Sequence, residues 1–260
     1  MQFTTTQSTP AFSWKALGWA VLYFCFFSTV LQIVIYATGY SGSNGLRDSI
    51  LFSLLWLVPV FLFPKKTRII GALIGVVLWA ASLAAICYYV IYGQEFSQSV
   101  LFVMFETNTN EAGEFLSQYF SLKIVLVAVV YTVVAVLLWT SLRPVYIPKP
   151  WRWLVSFALL YGLILNPLAS GVLMKGKPVA DVLDGLSARL GPAAPWQFIT
   201  GYYQYHHQLD NLTRLLNDNH ALPPLANLKD SSGNAPRTLV LVIGESTQRG
   251  HMSLYGYPRD

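Results

Sequence analysis

Five long apolar stretches, separated by short charged intervals, fill the first 174 positions of the chain. The uncharged runs are Ala16–Leu46 (31 residues, apolar as far as Thr38), Ser49–Pro64 (16), Ile69–Gln94 (26), Ile124–Leu142 (19) and Trp153–Met174 (22). A helix needs about 20 apolar residues to cross the ~30 Å hydrocarbon core of a bilayer. Four of the five runs therefore span by length alone. The second is short and contains Pro59, so as a span it must use Lys65 and Lys66 as flanks whose ammonium groups reach back to the interface. The first run is too long for a signal-peptide core and lacks a small-residue cleavage site, which predicts a retained helix.

Charge decides the doubtful second span and sets the orientation. Lys and Arg collect in the cytoplasmic segments of membrane proteins. With the N-terminus inside, those segments hold Lys15, Lys65, Lys66, Arg68, Arg143, Lys149 and Arg152 and no acid. The outer loops then hold Arg47 and Lys123 against Asp48, Glu95, Glu106, Glu111 and Glu114. Omitting the second span would put Lys65, Lys66 and Arg68 outside. The pattern predicts a five-span membrane domain over 1–174, with a cytoplasmic N-terminus and the remaining chain outside. Composition agrees: 54% of residues are hydrophobic and 11% charged, against roughly 25% charged in soluble domains. The net charge of +5 arises in the cytoplasmic segments, so no nucleic-acid partner is expected. Cys25 and Cys87 each lie in an apolar run, which excludes a disulfide framework and a Cys-based zinc site. No span carries an internal charge on this count, which argues against an ion or proton pathway.

The outer segments carry more pattern than filler loops do. Phe96, Val100, Val103, Met104, Thr107 and Glu111 recur at three- and four-residue spacing, the signature of one helix face. On that helix Thr107 and Glu111, four apart, would be neighbours. The simpler reading is a membrane-surface helix with Asn108–Asn110 capping the next one; the alternative is a polar pair that receives a lipid headgroup. Residues 175–237 read as two amphipathic helices and a linker. Val179, Val182, Leu183, Leu186 and Leu190 mark the first helix, and Ile199, Tyr202, Tyr203, His206, Leu209, Leu212 and Leu216 the second. Pro192 and Pro195 separate them, and the aromatic density predicts a position in the headgroup region. His206 and His207 are adjacent and so point to different helix faces, which argues against a metal pair. Leu222 to Arg237 is rich in Pro, Gly and Ser and reads as the linker.

Thr238-Leu-Val-Leu-Val-Ile243 is a short continuous apolar run ending at Gly244, which predicts a buried central strand of a parallel α/β sheet. Ligands of such sheets bind beyond the carboxyl ends of the strands, where Glu245 falls. Glu245 is placed either to ligate a metal or to cap a helix N-terminus, where acids are favoured. Gly244-Glu-Ser-Thr-Gln248 is not a nucleophile elbow, because Gln248 replaces the final Gly and the Ser comes one position early. A phosphate-binding P-loop is excluded by the lack of a Gly-Lys-Ser/Thr after the strand.

Taken together, the five spans, the segment Phe105-Glu-Thr-Asn-Thr-Asn-Glu111, the run Leu239-Val-Leu-Val-Ile-Gly-Glu-Ser-Thr-Gln-Arg249 and the run His251-Met-Ser-Leu-Tyr-Gly-Tyr-Pro-Arg259 resemble the bacterial phosphoethanolamine transferases. Within that family the resemblance is to the branch acting on lipopolysaccharide core heptose rather than on lipid A. It implies an α-helical membrane domain followed by an α/β alkaline-phosphatase-like, sulfatase-type periplasmic domain, of which 238–260 would be the first strand and metal-ligand motif. It further implies an inner-membrane location, zinc as cofactor with Glu245 as one ligand, phosphatidylethanolamine as donor and lipopolysaccharide as acceptor. Thr107 and Glu111 match a polar pair placed near the donor headgroup; Val103 stands where the family usually carries an amide. The family's nucleophilic Thr and remaining ligands are expected beyond Asp260, which makes this chain a truncated portion, inactive by itself. A phosphoglycerol transferase of the same plan and a non-catalytic membrane module are the competing classes, and Gly244-Glu-Ser favours the first reading over both.

Overall fold

The computed structural model describes residues 12–39 and 43–220. Among these residues the fold is helical, with five helices long and apolar enough to cross a membrane: Trp14–Ala37, Ser43–Leu62, Pro64–Tyr92, Leu122–Thr140 and Lys149–Met174. The chain is a multi-pass membrane protein on this evidence. The expected strand over 238–243 and the linker lie outside the described residues.

Helix α1 (Trp14–Ala37) is the centre of the bundle. Ser13 caps it by accepting from the Ala16 amide at 3.4 Å. Its buried positions, Ala16, Ala20, Tyr23, Phe24, Phe27, Leu31 and Ile35 among them, recur every three or four residues and form one face of the main core. Helix α4 (Thr67–Tyr92) lies against it with Gly71 and Gly75 at the contact, small residues four apart that let two membrane helices approach closely. The Tyr23 hydroxyl donates to the Gly71 carbonyl at 2.8 Å, and a Cβ on Gly75 would overlap that hydroxyl. Gly75→Val is expected to cost about 1–3 kcal/mol, the usual penalty of overpacking. A thermal unfolding midpoint in detergent unchanged by the substitution would show that this approach is not tight.

The second span departs from expectation. Its helix begins at Ser43, not Ser49, and ends at Leu62. It is built from α2 (Ser43–Ser53), a tight 3₁₀ turn Leu54–Trp56, and α3 (Leu57–Leu62). Pro59 has no amide to give the Leu55 carbonyl and its ring crowds that carbonyl, and the tightened turn lies over this stretch. Length is recovered at the outer end, where Arg47 and Asp48 enter the helix. The expectation that no span carries an internal charge is thereby corrected: Asp48 is 4% exposed inside the second span.

Helices α5 (Gln98–Glu106) and α6 (Thr109–Tyr119) precede α7 (Leu122–Thr140). Between α4 and α7 the Tyr131 hydroxyl donates to Ser82 Oγ at 2.7 Å, and Trp79 Nε1 donates to Thr132 Oγ1 at 3.0 Å. At the Lys/Arg-rich end, Arg68 donates to the Leu142 and Thr140 carbonyls and Arg152 to the Leu62 carbonyl. These basic residues thus neutralise the negative ends of α7 and α3, beyond setting topology.

The last span joins α8 (Lys149–Leu160) to α9 (Asn166–Ala169), with a π-helical turn on either side of α9, at Tyr161–Leu165 and Ser170–Met174. Pro167 accounts for a distortion of this kind, since the helix must widen around a residue with no amide to donate. Helices α10 (Val179–Leu190) and α11 (Trp196–His220) follow, close to the expected bounds. As far as Thr213 they belong to the same compact unit as the spans. The Pro192–Pro195 connection between them is buried rather than a surface spacer. Ala193 and Ala194 are 0% and 3% exposed, and the Ala194 amide donates to Ser28 Oγ of α1 at 3.0 Å. The second unit, Arg214–Asp260, is described over Arg214–His220, the end of α11.

Candidate functional site

The charged side chains of the outer segments converge on one cleft. It has a volume of about 500 Å³ and lies between the start of α2, the segment leading into α5, the end of α10 and the start of α11. Arg47, Asp48, Glu95 and Arg189 line it, with Gln197 and Thr200 of α11. Ligand sites commonly occupy 300–1,000 Å³.

Asp48 is the fixed point of this cleft. Its Oδ1 accepts from Arg47 Nε at 3.0 Å and meets Arg189 Nη2 at 3.5 Å. The Arg189 guanidinium also sits 5.5 Å from the ring centroid of Phe52, which is itself fully buried. Behind it, Phe52, Leu55, Leu186 and Ala193 form a second small core, and Trp56 stacks on Trp196 at 5.7 Å. The ion pair therefore fastens α10 onto α2. On the other wall, Gln32 of α1, 4% exposed, donates to Glu95 Oε1 at 3.0 Å. Neither wall was visible in the sequence. Arg47, Asp48 and Glu95 read as loop charges there, and Arg189 is 141 residues from its partner.

Thr107 and Glu111 are not on one helix. Helix α5 ends at Glu106, Thr107 is extended at φ −66°, ψ 128°, and α6 starts at Thr109. The reason is a reciprocal cap. Asn108 Oδ1 accepts from the Asn110 and Glu111 amides, each at 3.0 Å, while the Glu111 carboxylate accepts from Asn108 Nδ2 at 2.7 Å and its backbone amide at 3.3 Å. This is a capping box in which Asn replaces the usual Ser or Thr. Thr107 Oγ1 donates to the Val103 carbonyl at 2.6 Å. The expected cap at Asn108 is present, whereas the i,i+4 pairing of Thr107 and Glu111 on a continuous helix is corrected. Both residues sit at the opposite end of α5 from Leu101, which lines the cleft, about 9 Å along the axis at helical rise.

Helix α11 lies across α5. A Cβ on Gly201 would overlap Leu101, and Phe105 contacts Tyr202 and Tyr205 at centroid distances of 5.6 and 5.5 Å. His206 packs edge-on against Tyr202 at 4.4 Å, so its ring serves an aromatic seam. Among the described residues no group of three His, Cys, Asp or Glu is arranged to hold a metal ion. Glu245, the sequence-derived ligand, lies outside them.

No protein-family model matches the chain and no solved structure does. Among curated proteins, it is 75% identical over all 260 residues to phosphoethanolamine transferase EptC of Escherichia coli K12, and equally to phosphoethanolamine transferase CptA of Salmonella typhimurium. In each case the alignment takes in 100% of this chain and 45% of the relative, so the chain spans less than half the length of the proteins it matches. Identity of this extent, sustained through every helix described above, means that the chain belongs to the EptC/CptA family of phosphoethanolamine transferases and corresponds to an N-terminal portion of it.

Proposed function

We propose that this chain is the membrane portion of a transferase that moves phosphoethanolamine from phosphatidylethanolamine to lipopolysaccharide, with core heptose as the acceptor. The observation that carries the reading is the 75% identity to EptC and CptA across the whole chain. It is supported by a charged cleft at the end of the bundle remote from the Lys/Arg-rich one. In this reading the protein sits in the bacterial inner membrane with its N-terminus cytoplasmic. The cleft and the Thr107–Glu111 turn face the periplasm, and an alkaline-phosphatase-like domain opens at the strand 238–243.

Phosphoryl transfer needs its groups positioned and its developing charge neutralised. The membrane portion contributes the first. Its outer segments hold the donor headgroup at a fixed height above the bilayer, so that the phosphodiester is presented rather than searched for. Glu245 would hold zinc, which when bound supplies charge neutralisation at the phosphoryl oxygens and lowers the pKa of a bound hydroxyl. Thr107 and Glu111 are assigned to the headgroup, Glu111 offering carboxylate charge at an exposed turn.

The test uses the full-length enzyme in vesicles with lipopolysaccharide and one labelled donor at a time. With phosphatidylethanolamine, label should pass to core heptose and diacylglycerol should accumulate in equal amount. Transfer from phosphatidylglycerol instead would replace this reading with a phosphoglycerol transferase. Label on lipid A would correct the acceptor.

A further inference from the structure

We propose that the cleft between Arg47, Arg189 and Glu95 binds a phosphate-bearing zwitterion, the two arginines taking the phosphate and Glu95 the ammonium. This goes beyond the Thr107–Glu111 turn, and its choice of an ethanolamine headgroup rests on the donor proposed above.

The charges themselves carry the argument. Two guanidinium groups share a single carboxylate, and both use the same oxygen of Asp48. One positive charge is left over. A guanidinium has five N–H donors in a planar fork suited to phosphate. The side chains of Arg47 and Arg189 are 57% and 38% exposed, so they keep donors free on the cleft side. Asp48, with a 6% exposed side chain, holds both in place from behind. Opposite them Glu95 is aimed by the buried Gln32 and has no ion-pair partner among the described residues. A cleft with surplus positive charge on one wall and an unneutralised carboxylate on the other is dipolar. Its complement is a ligand carrying both signs, rather than a simple anion.

The surroundings favour a lipid as the source of that headgroup. Directly below Glu95 a small crevice is lined by Phe27, Leu31, Gln32 and Ala85. Leu31 also lines a groove of about 460 Å³ between α1, α4 and α7, whose other walls include Phe26, Val34, Ile86 and Val130. That groove is apolar along nearly all its surface and fits an acyl chain. A headgroup in the cleft can thus keep its tail in the bilayer.

The proposal is tested by lipid retention, measured by native mass spectrometry on the purified protein released from micelles with equal phosphatidylethanolamine and phosphatidylglycerol. Arg47→Gln and Glu95→Gln are the informative variants. Glu95→Gln keeps an oxygen for Gln32 while removing the charge, and Arg47→Gln alters a side chain more than half exposed. Unchanged melting temperatures confirm that both remain folded. Wild type should retain phosphatidylethanolamine about tenfold over phosphatidylglycerol, the scale of one charged hydrogen bond. Glu95→Gln should erase that preference, and Arg47→Gln should weaken both lipids about tenfold. Glycerophosphoethanolamine should compete and inorganic phosphate should not; equal competition by phosphate would reduce the cleft to an anion site and overturn the zwitterion assignment. A wild-type preference preserved in both variants would place the headgroup elsewhere and overturn the cleft alone. No preference in wild type would overturn the donor reading as well.

Discussion

Asp48→Ala is expected to lower the stability of the protein by about 3 kcal/mol. Removing one member of a buried ion pair costs 3–5 kcal/mol because the other charge is left without a partner. The lower end applies here, since Arg47 and Arg189 have 57% and 38% exposed side chains and can turn toward water. The loss should be local before it is global. Asp48 joins α2 to α10, and Arg189 brings Phe52 and the small core behind it. Hydrogen exchange over Val179–Leu190 should therefore accelerate in the variant more than exchange in α1 or α4. Raising salt from low to physiological concentration should leave the wild-type contribution largely intact, because a carboxylate this buried is poorly screened. A variant with wild-type melting temperature and unchanged exchange in α10 would show the pair to be an ordinary surface contact worth less than about 1 kcal/mol.

Glu245→Ala in the full-length enzyme is expected to reduce phosphoethanolamine transfer by at least about 10²-fold. Even the outer partners of metal ligands cost 10–100-fold when lost, and a catalytic zinc relies on about three protein ligands. The same variant separates the two roles that the sequence leaves open for this residue. As a ligand, its loss should lower the zinc content of the purified protein along with activity, and added zinc should restore part of both. As a helix cap, its loss should cost about 0.3–1 kcal/mol of stability, leaving zinc content and transfer near wild type. Zinc content is the deciding measurement, since a folding defect also lowers activity.

The spans were legible because bilayer thickness imposes a length that survives any detail of packing. Four of them sit within about a turn of where hydropathy alone puts them, the last beginning at Lys149 instead of Trp153. The second is displaced because a search for uncharged runs must stop at Asp48. The helix does not stop there, because Asp48 is neutralised by its neighbour Arg47 and by Arg189 from a distant helix. No local pattern announces a partner that far along the chain. The same limit hid the buried Pro192–Pro195 connection, whose burial depends on a Ser28 hydroxyl in the first span. The turn at Asn108 was legible, since Asn followed three residues later by Glu is a helix start. The apolar periodicity that runs through Thr107 pointed to a continuous helix instead, and the reciprocal hydrogen bonds of the cap prevailed.

One feature of the bundle makes its outermost span depend on the membrane itself. Within the Lys149–Met174 helix, 6% of the most apolar window is covered by protein, against 44% for the first span. Its neighbours are therefore mostly acyl chains, and its tilt is set by the thickness and order of the surrounding lipid more than by side-chain packing. The two π turns flanking Asn166–Ala169 give this helix a compliant joint. Past the second of them, Gly171 rests against Val182 of α10 so closely that a methyl group would not fit. A change in bilayer thickness taken up by this span is thus passed, like force through a lever, to the helix that carries Arg189.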